Sequence, residues 1–301
     1  MADGIINVYK EKGFTSHDVV AKMRGILKQK KIGHTGTLDP MAEGVLPVCL
    51  GKATKLCDLL TDKTKTYQAV LLLGMETDTQ DTTGQIQNTS PVLSGEKEIE
   101  EVVLSFFGPY NQIPPMYSAL KVNGKKLYEL ARAGKEVERK ARPVEILSIQ
   151  VDKIDLPRVT MTVTCSKGTY IRTLCYDIGQ KLGCGGCMES LLRTRVSEFC
   201  LEDSLTLTQI EGLRDEGGLS EKILSVDSVF SDYPELIMKE EFDKLVHNGN
   251  PFRRDQAQGE DCTEEGPVRV YDSKQEFIGV YEPDEENKRL KPKKIFLGGS
   301  R

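Results

Sequence analysis

The chain has 301 residues, 38% hydrophobic and 29% charged, more than one hydrophobic core usually sustains, so a large domain followed by a smaller one is expected. No apolar run approaches the roughly 18 residues of a membrane span, and the start Met-Ala-Asp-Gly-Ile-Ile lacks the basic and apolar segments of a secretory signal, which points to a cytoplasmic protein. The net charge of −5 hides segregation: five Lys or Arg and no acid between Lys22 and Lys31, eight against three Glu between Lys121 and Arg142, and five against none between Lys288 and Lys294. Phosphate contacts need local rather than net positive charge, so these runs favour a polyanionic partner.

In chain order, residues 5–9 read as a strand, and Thr15 with Ser16 offers an N-cap for a helix over 17–27. A glycine-punctuated loop around Asp39 follows, then a strand over 45–50, a helix over 52–61 and a β-rich strand over 66–73. Residues 76–84 form a polar loop carrying Asp78 and Asp81, and apolar spacing predicts a helix over 98–107. Residues 112–143 are basic and turn-rich, an excursion from the core. Strands resume over 144–151 and 159–165, and Lys167-Gly168 leads into a helix ending near Leu182. A boundary is expected near Asp232-Tyr233-Pro234. Beyond it, short strands over 268–271 and 277–281 suggest a small β-rich module with a basic, aromatic end.

Chemistry concentrates in Gly33-His34-Thr35-Gly36-Thr37-Leu38-Asp39-Pro40-Met41-Ala42-Glu43-Gly44. One carboxylate, Asp39, is held extended by the following proline and bracketed by glycines that permit close backbone approach. Three histidines, His17, His34 and His247, and no Gly-x-Ser-x-Gly elbow argue against a serine triad, and no phosphate-cradling glycine motif follows a strand. Eight cysteines at irregular spacings read as reduced thiols; Cys184-Gly-Gly-Cys187 lacks a second ligand pair, so no metal is expected and the glycines read as a helix stop. An isolated aspartate remains suited to glycosidic chemistry, attacking an anomeric carbon or stabilising charge there.

Gly-His-Thr-Gly-Thr-Leu-Asp-Pro around Asp39, Lys65-Thr66-Tyr67, the run from Pro114 to Lys121 and Lys167-Gly168-Thr169-Tyr170-Ile171-Arg172-Thr173-Leu174 resemble, in the same order, the motifs of the bacterial TruB family of tRNA pseudouridine synthases. The likeness extends over residues 4–195, and the tail after Pro234 is similar to a PUA domain. The resemblance implies an α+β pseudouridine synthase fold: a central mixed, mainly antiparallel sheet flanked by helices over 1–233, a thumb-like RNA-binding insertion over 112–143, and a small β-barrel PUA-like domain over 234–301. It implies isomerisation of the uridine at position 55 in the tRNA T-loop, without cofactor or metal. Free tRNA, bound through its T-arm and T-loop, would be the partner; no obligate protein partner and a monomeric state are expected.

Carried over residue by residue, Asp39 matches the family's catalytic aspartate and Arg172 its partner arginine. Tyr67 matches the tyrosine that stacks on the target base and is a candidate base at C5. Tyr170 matches a second pocket tyrosine, Leu191 an apolar wall, His34 a histidine stacking in the T-loop, and Asp81 an acid pairing with the arginine, with Asp78 the nearby alternative. Lys121, Lys125, Lys126, Arg132 and Arg139 would meet phosphates. Where many members read Leu-Ala-Thr-Gly after the Asp-Pro, this chain reads Met41-Ala42-Glu43-Gly44, and the acidic residues 255–265 are unusual for such a tail. A non-catalytic RNA-binding or tRNA-folding protein and a guide-RNA-directed synthase are the alternatives.

Overall fold

The first strand, β1 (Gly4–Lys10), is buried on both faces, and α1 (Ser16–Leu27) begins at a capping box in which Thr15 and Asp18 satisfy each other's backbone N–H groups. A computed structural model describes residues 2–122, 124–135, 137–259 and 266–297; Cys262 and most of the acidic 255–265 stretch lie outside the described residues. Next come β2 (Ile32–His34) and β3 (Glu43–Leu50), an antiparallel hairpin whose connecting loop carries Asp39. Instead of one helix over 52–61, the chain makes a 3-10 turn over Gly51–Leu56 and then α2 (Cys57–Thr61). There the Thr54 hydroxyl takes the Gly51 carbonyl at 2.8 Å, a local bond that competes with regular helix.

Alternating burial marks β4 (Lys65–Leu73). The polar loop after it is held in a small hairpin of β5 (Met75–Thr77) and β6 (Ile86–Thr89), followed by α3 (Glu96–Leu104) and β7 (Gly108–Gln112). The basic excursion contains β8 (Lys121–Val122), β9 (Lys125–Lys126) and α4 (Leu127–Arg132), and it returns in β10 (Arg142–Asp155). Gln112 pairs with Arg142, so the insertion leaves and re-enters the sheet at facing residues. Then come β11 (Arg158–Cys165), α5 (Ile171–Lys181), β12 (Gly186–Val196), β13 (Phe199–Cys200) and α6 (Leu207–Glu216).

These strands form one nine-stranded sheet of order β1-β3-β12-β4-β11-β10-β7, with β2 added to β3 and β13 to β12. The β3–β12 pair is parallel and the others are antiparallel, so the sheet is mixed and mainly antiparallel as expected. Main-chain bonds from Leu205 and Leu224 cover the β1 edge. Helices α3 and α5 pack on β4, β11 and β10 around Leu71, Met161 and Leu174; α1 and α6 pack on β1 and β3 around Val8, Met23 and Leu46. Each such Leu, Ile or Met contributes about 1.5–3 kcal/mol by leaving water.

The C-terminal sheet contains β14 (Glu235–Met238), β15 (Ala257–Gly259), β16 (Val268–Tyr271), β17 (Phe277–Asp284) and β18 (Arg289–Ile295), ordered β15-β14-β16-β17-β18, with α7 (Asp243–His247) between the first two. It has its own core around Leu236, Phe252 and Tyr281. A second cluster joins it to the large sheet: Phe296 and Val280 pack with Phe230, Ile5, Val45 and Leu56. No helix of the described residues is long and apolar enough to cross a membrane.

Candidate active site

The loop bearing Asp39 is fastened on both sides of the carboxylate. Ser16 Oγ accepts from the Leu38 N–H at 2.9 Å; the Pro40 carbonyl accepts from the Gly13 N–H at 2.8 Å and from Lys10 Nζ at 3.2 Å. Lys10 is fully buried and also donates to the Phe14 carbonyl at 2.6 Å, and burial pushes its ammonium down to about 8. Gly44 lets the loop enter β3 against β12: its φ is +105°, and a Cβ there would stand 2.2 Å from the Arg193 carbonyl oxygen. That requirement keeps the glycine next to Glu43, whose charge turns aside to the Tyr9 hydroxyl at 3.2 Å.

Arg172, in the first turn of α5, organises the site. Its Nε lies 2.9 Å from Asp39 Oδ2, and its Nη1 lies 3.5 Å from Asp81 Oδ2 and donates to the Thr79 carbonyl at 3.1 Å. Nη2 donates to the Tyr117 carbonyl at 2.8 Å. One planar guanidinium therefore gathers the Asp39 loop, the polar loop and the insertion, a use of its fixed donor fork that a lysine has no means to copy. Asp81 is the acid at the arginine; Asp78 instead accepts from the Gln85 N–H at 2.7 Å.

Arg172 is buried, whereas the Asp39 side chain keeps 41% of its surface and faces an open cavity. Protein packed around it pushes the Asp39 carboxyl above its ordinary value; Arg172 opposes that, Asp81 adds to it, and Lys10 opposes it more weakly. The direct ion pair is thus what favours the charged form of an aspartate otherwise driven toward neutrality.

The cavity, about 890 Å³, is lined by Asp39, Tyr67, Tyr170, Arg172, Leu191 and Arg193, with Tyr117, Ser118, Tyr128 and Arg132 of the insertion closing one side. Tyr67 is 8% exposed, and burial raises its phenol, so it is protonated at neutral pH. Tyr170 stands at the N-cap of α5, not within the helix as its sequence suggested. Its backbone is clamped by Gln112, which accepts from its N–H at 2.7 Å and donates to its carbonyl at 3.0 Å.

The other residues anticipated for the site are dispersed. His34 is half-buried at the end of β2 with its ring edge-on to His17 at 5.3 Å; it does not line the cavity, and burial lowers its imidazole. Lys125 is exposed, while Lys126 sits over the Tyr128 ring at 5.4 Å, with Arg132 at 5.4 Å from the same ring. Arg139 donates to the Pro114 carbonyl at 3.1 Å. The side chain of Lys121 lies outside the described residues. Cys184 and Cys187 are free thiols after the helix stop, and no metal-holding cluster of His, Cys, Asp or Glu occurs among the described residues.

Lys10, Gln112 and Arg193 escaped sequence reasoning. Each is a polar residue at an apolar strand position, and that mismatch was the available signal. The strand β12 itself was also missed, because glycines at its start and Glu189, Arg193 and Arg195 along it mask the apolar pattern.

The fold and the sequence have counterparts among known proteins. Over 98% of this chain and 85% of the other, the fold superposes with a TM-score of 0.73 and 27% identity on a chain of a solved Cbf5–Nop10–Gar1 complex. A chain of an H/ACA ribonucleoprotein bound to a substrate RNA containing 2′-deoxyuridine gives 0.72 and 25%, covering 99% and 86%. Residues 24–171 match the model of the N-terminal domain of TruB family pseudouridylate synthases, and residues 172–231 that of the tRNA pseudouridylate synthase B C-terminal domain. The class is therefore that of the pseudouridylate synthases. Proteins called tRNA pseudouridine synthase B from Lachnoclostridium phytofermentans and Bacillus licheniformis are 54% and 42% identical, covering 98% and 99% of this chain and 100% and 98% of theirs. The chain belongs to the TruB family.

Proposed function

We propose that the chain isomerises the uridine at position 55 in the T-loop of tRNA to pseudouridine, with Asp39 as the catalytic carboxylate. The observation that carries this reading is the Asp39–Arg172 ion pair opening onto a cavity bounded by Tyr67, Tyr170 and Leu191. A base taken out of its stack needs an aromatic face, and the cost of unstacking, a few kcal/mol, must be offset by contacts in the closed complex. Asp39 assists rupture of the C1′–N1 bond, by attack on the sugar or by proton abstraction from it. The uracil then turns and C5 bonds to C1′, with the Asp39–C1′ bond breaking on the first route or Asp39 returning the sugar proton on the second; a base removes the C5 proton, which passes on to solvent, and N1 takes up a proton. Burial keeps the Tyr67 phenol protonated, so it can accept the C5 proton only after giving up its own.

In this reading residues 1–233 are the catalytic part, 112–143 the thumb whose Lys121, Lys125 and Lys126 meet T-arm phosphates, and 234–301 a PUA-like barrel adding RNA contacts. His34 would stack within the T-loop from outside the cavity. The enzyme works as a cytoplasmic monomer on free tRNA, with no cofactor and no obligate protein partner.

Tritium release from an unmodified tRNA transcript labelled at C5 of uridine, with the purified chain alone, is the test. Release that disappears when uridine 55 is replaced supports the reading, and Asp39→Asn should abolish it while leaving tRNA binding intact. Binding without release would favour an RNA-folding role. Release only on adding a guide RNA would favour the guide-directed alternative.

A further inference from the structure

Arg193 is one of the largest fully buried side chains of the protein, 1% exposed, and among the described residues no carboxylate pairs with it. A buried charge is tolerated when hydrogen bonds take up its donors, so where those donors point shows what the residue is for. Nε donates to the Val45 carbonyl at 2.7 Å and Nη2 to the Gly36 carbonyl at 3.4 Å, and these two carbonyls bracket the loop that carries Asp39. Arg193 also stands directly across from Tyr67 in the β12–β4 register, which sets the two side chains on the same face of the sheet, and both line the cavity.

Guanidinium has five donors and no acceptor, so a hydrogen bond between the two side chains can run only from Arg193 to the phenol oxygen, which turns the phenol hydrogen elsewhere. Both residues line the cavity, and the cavity is the open side. We propose that Arg193 is a positioning residue for Tyr67, holding the phenol as an acceptor on the protein side so that its O–H points into the cavity as a donor to the base that is cleaved and turned. The burial that keeps the phenol protonated agrees with a donor role. The proposal rests on the uridine-isomerase reading of the same cavity.

A two-residue cycle tests it, measured as single-turnover tritium release at saturating enzyme, with tRNA affinity and melting temperature recorded for every variant. Wild-type release tests the isomerase reading by itself; the ratio between backgrounds tests Arg193. Arg193→Lys keeps a charge but loses the planar fork, and it should slow release by about ten-fold or more without weakening tRNA binding, since small misplacements cost on the order of 10²-fold. In the Tyr67→Phe background, where there is no phenol to orient, the same change should cost less than about three-fold, the non-additivity expected of residues acting through one another. Equal losses in both backgrounds, or no loss in either, would overturn the proposal. If Arg193→Lys melts below the assay temperature, Arg193→Gln, planar and with an amide donor, carries the same cycle and is read by the same ratio.

Discussion

At the scale of single residues, the site turns on how far Arg172 lowers the Asp39 carboxyl against burial and the neighbouring Asp81. On the proposed mechanism Asp39 acts ionised, so activity should fall as pH drops through the Asp39 pKa, which lies above the ordinary aspartate value. Removing the cation in Arg172→Met leaves burial and Asp81 opposed only by the weaker Lys10, and the acid limb of the pH–rate profile should move upward, along with a loss of rate. Asp81→Asn removes a like charge, so the limb should move the opposite way. A limb that stays in place in both variants would show that Asp39 is not the titrating group. Gly44 makes a separate point. Gly44→Ala meets both the Arg193 carbonyl and a positive φ, and it should destabilise the fold by about 2–4 kcal/mol in denaturant titrations.

Among elements, the insertion between β7 and β10 was legible in the sequence because basic and turn-forming residues interrupt the strand pattern. Its contact with the site was not. The Tyr117 carbonyl accepts from Arg172, and Tyr128 at the cavity wall has both Lys126 and Arg132 against its ring, arrangements that depend on where the insertion folds back. Neutralising Lys125 and Lys126 to Gln should weaken tRNA binding and flatten the slope of log K against log salt by about one unit per lost phosphate contact. An unchanged slope would remove these lysines from the RNA interface. The opposite case is β12, hidden from pattern reading by its charged residues, yet it supplies Leu191 and Arg193 and makes the sheet's parallel pair with β3.

On the scale of the whole molecule, the two sheets share a core. Phe230 stacks near Tyr233 and packs with Phe277 and Phe296, joining the C-terminal sheet to β1, β3 and the 3-10 turn. Unfolding is therefore expected as one cooperative transition, and Phe230→Ala should lower stability by about 3–5 kcal/mol across all of it. Two resolved transitions in calorimetry of the unsubstituted chain would show that the shared cluster does not couple the parts.

The sequence by itself determined the contiguous features: the acid in its glycine-bracketed loop, the capped helix after Thr15, the basic insertion and the family resemblance. Each is written in neighbouring residues, whose spacing and backbone limits act locally. Only the tertiary structure decided what those features do together. It selected Asp81 over Asp78, set His34 outside the cavity, and converged Arg172, Gln112 and Arg193 on groups up to 157 residues away in the chain. Hydrogen bonds from a buried side chain go wherever the fold leaves an acceptor in need of a partner, and that is a property of packing that no stretch of sequence displays.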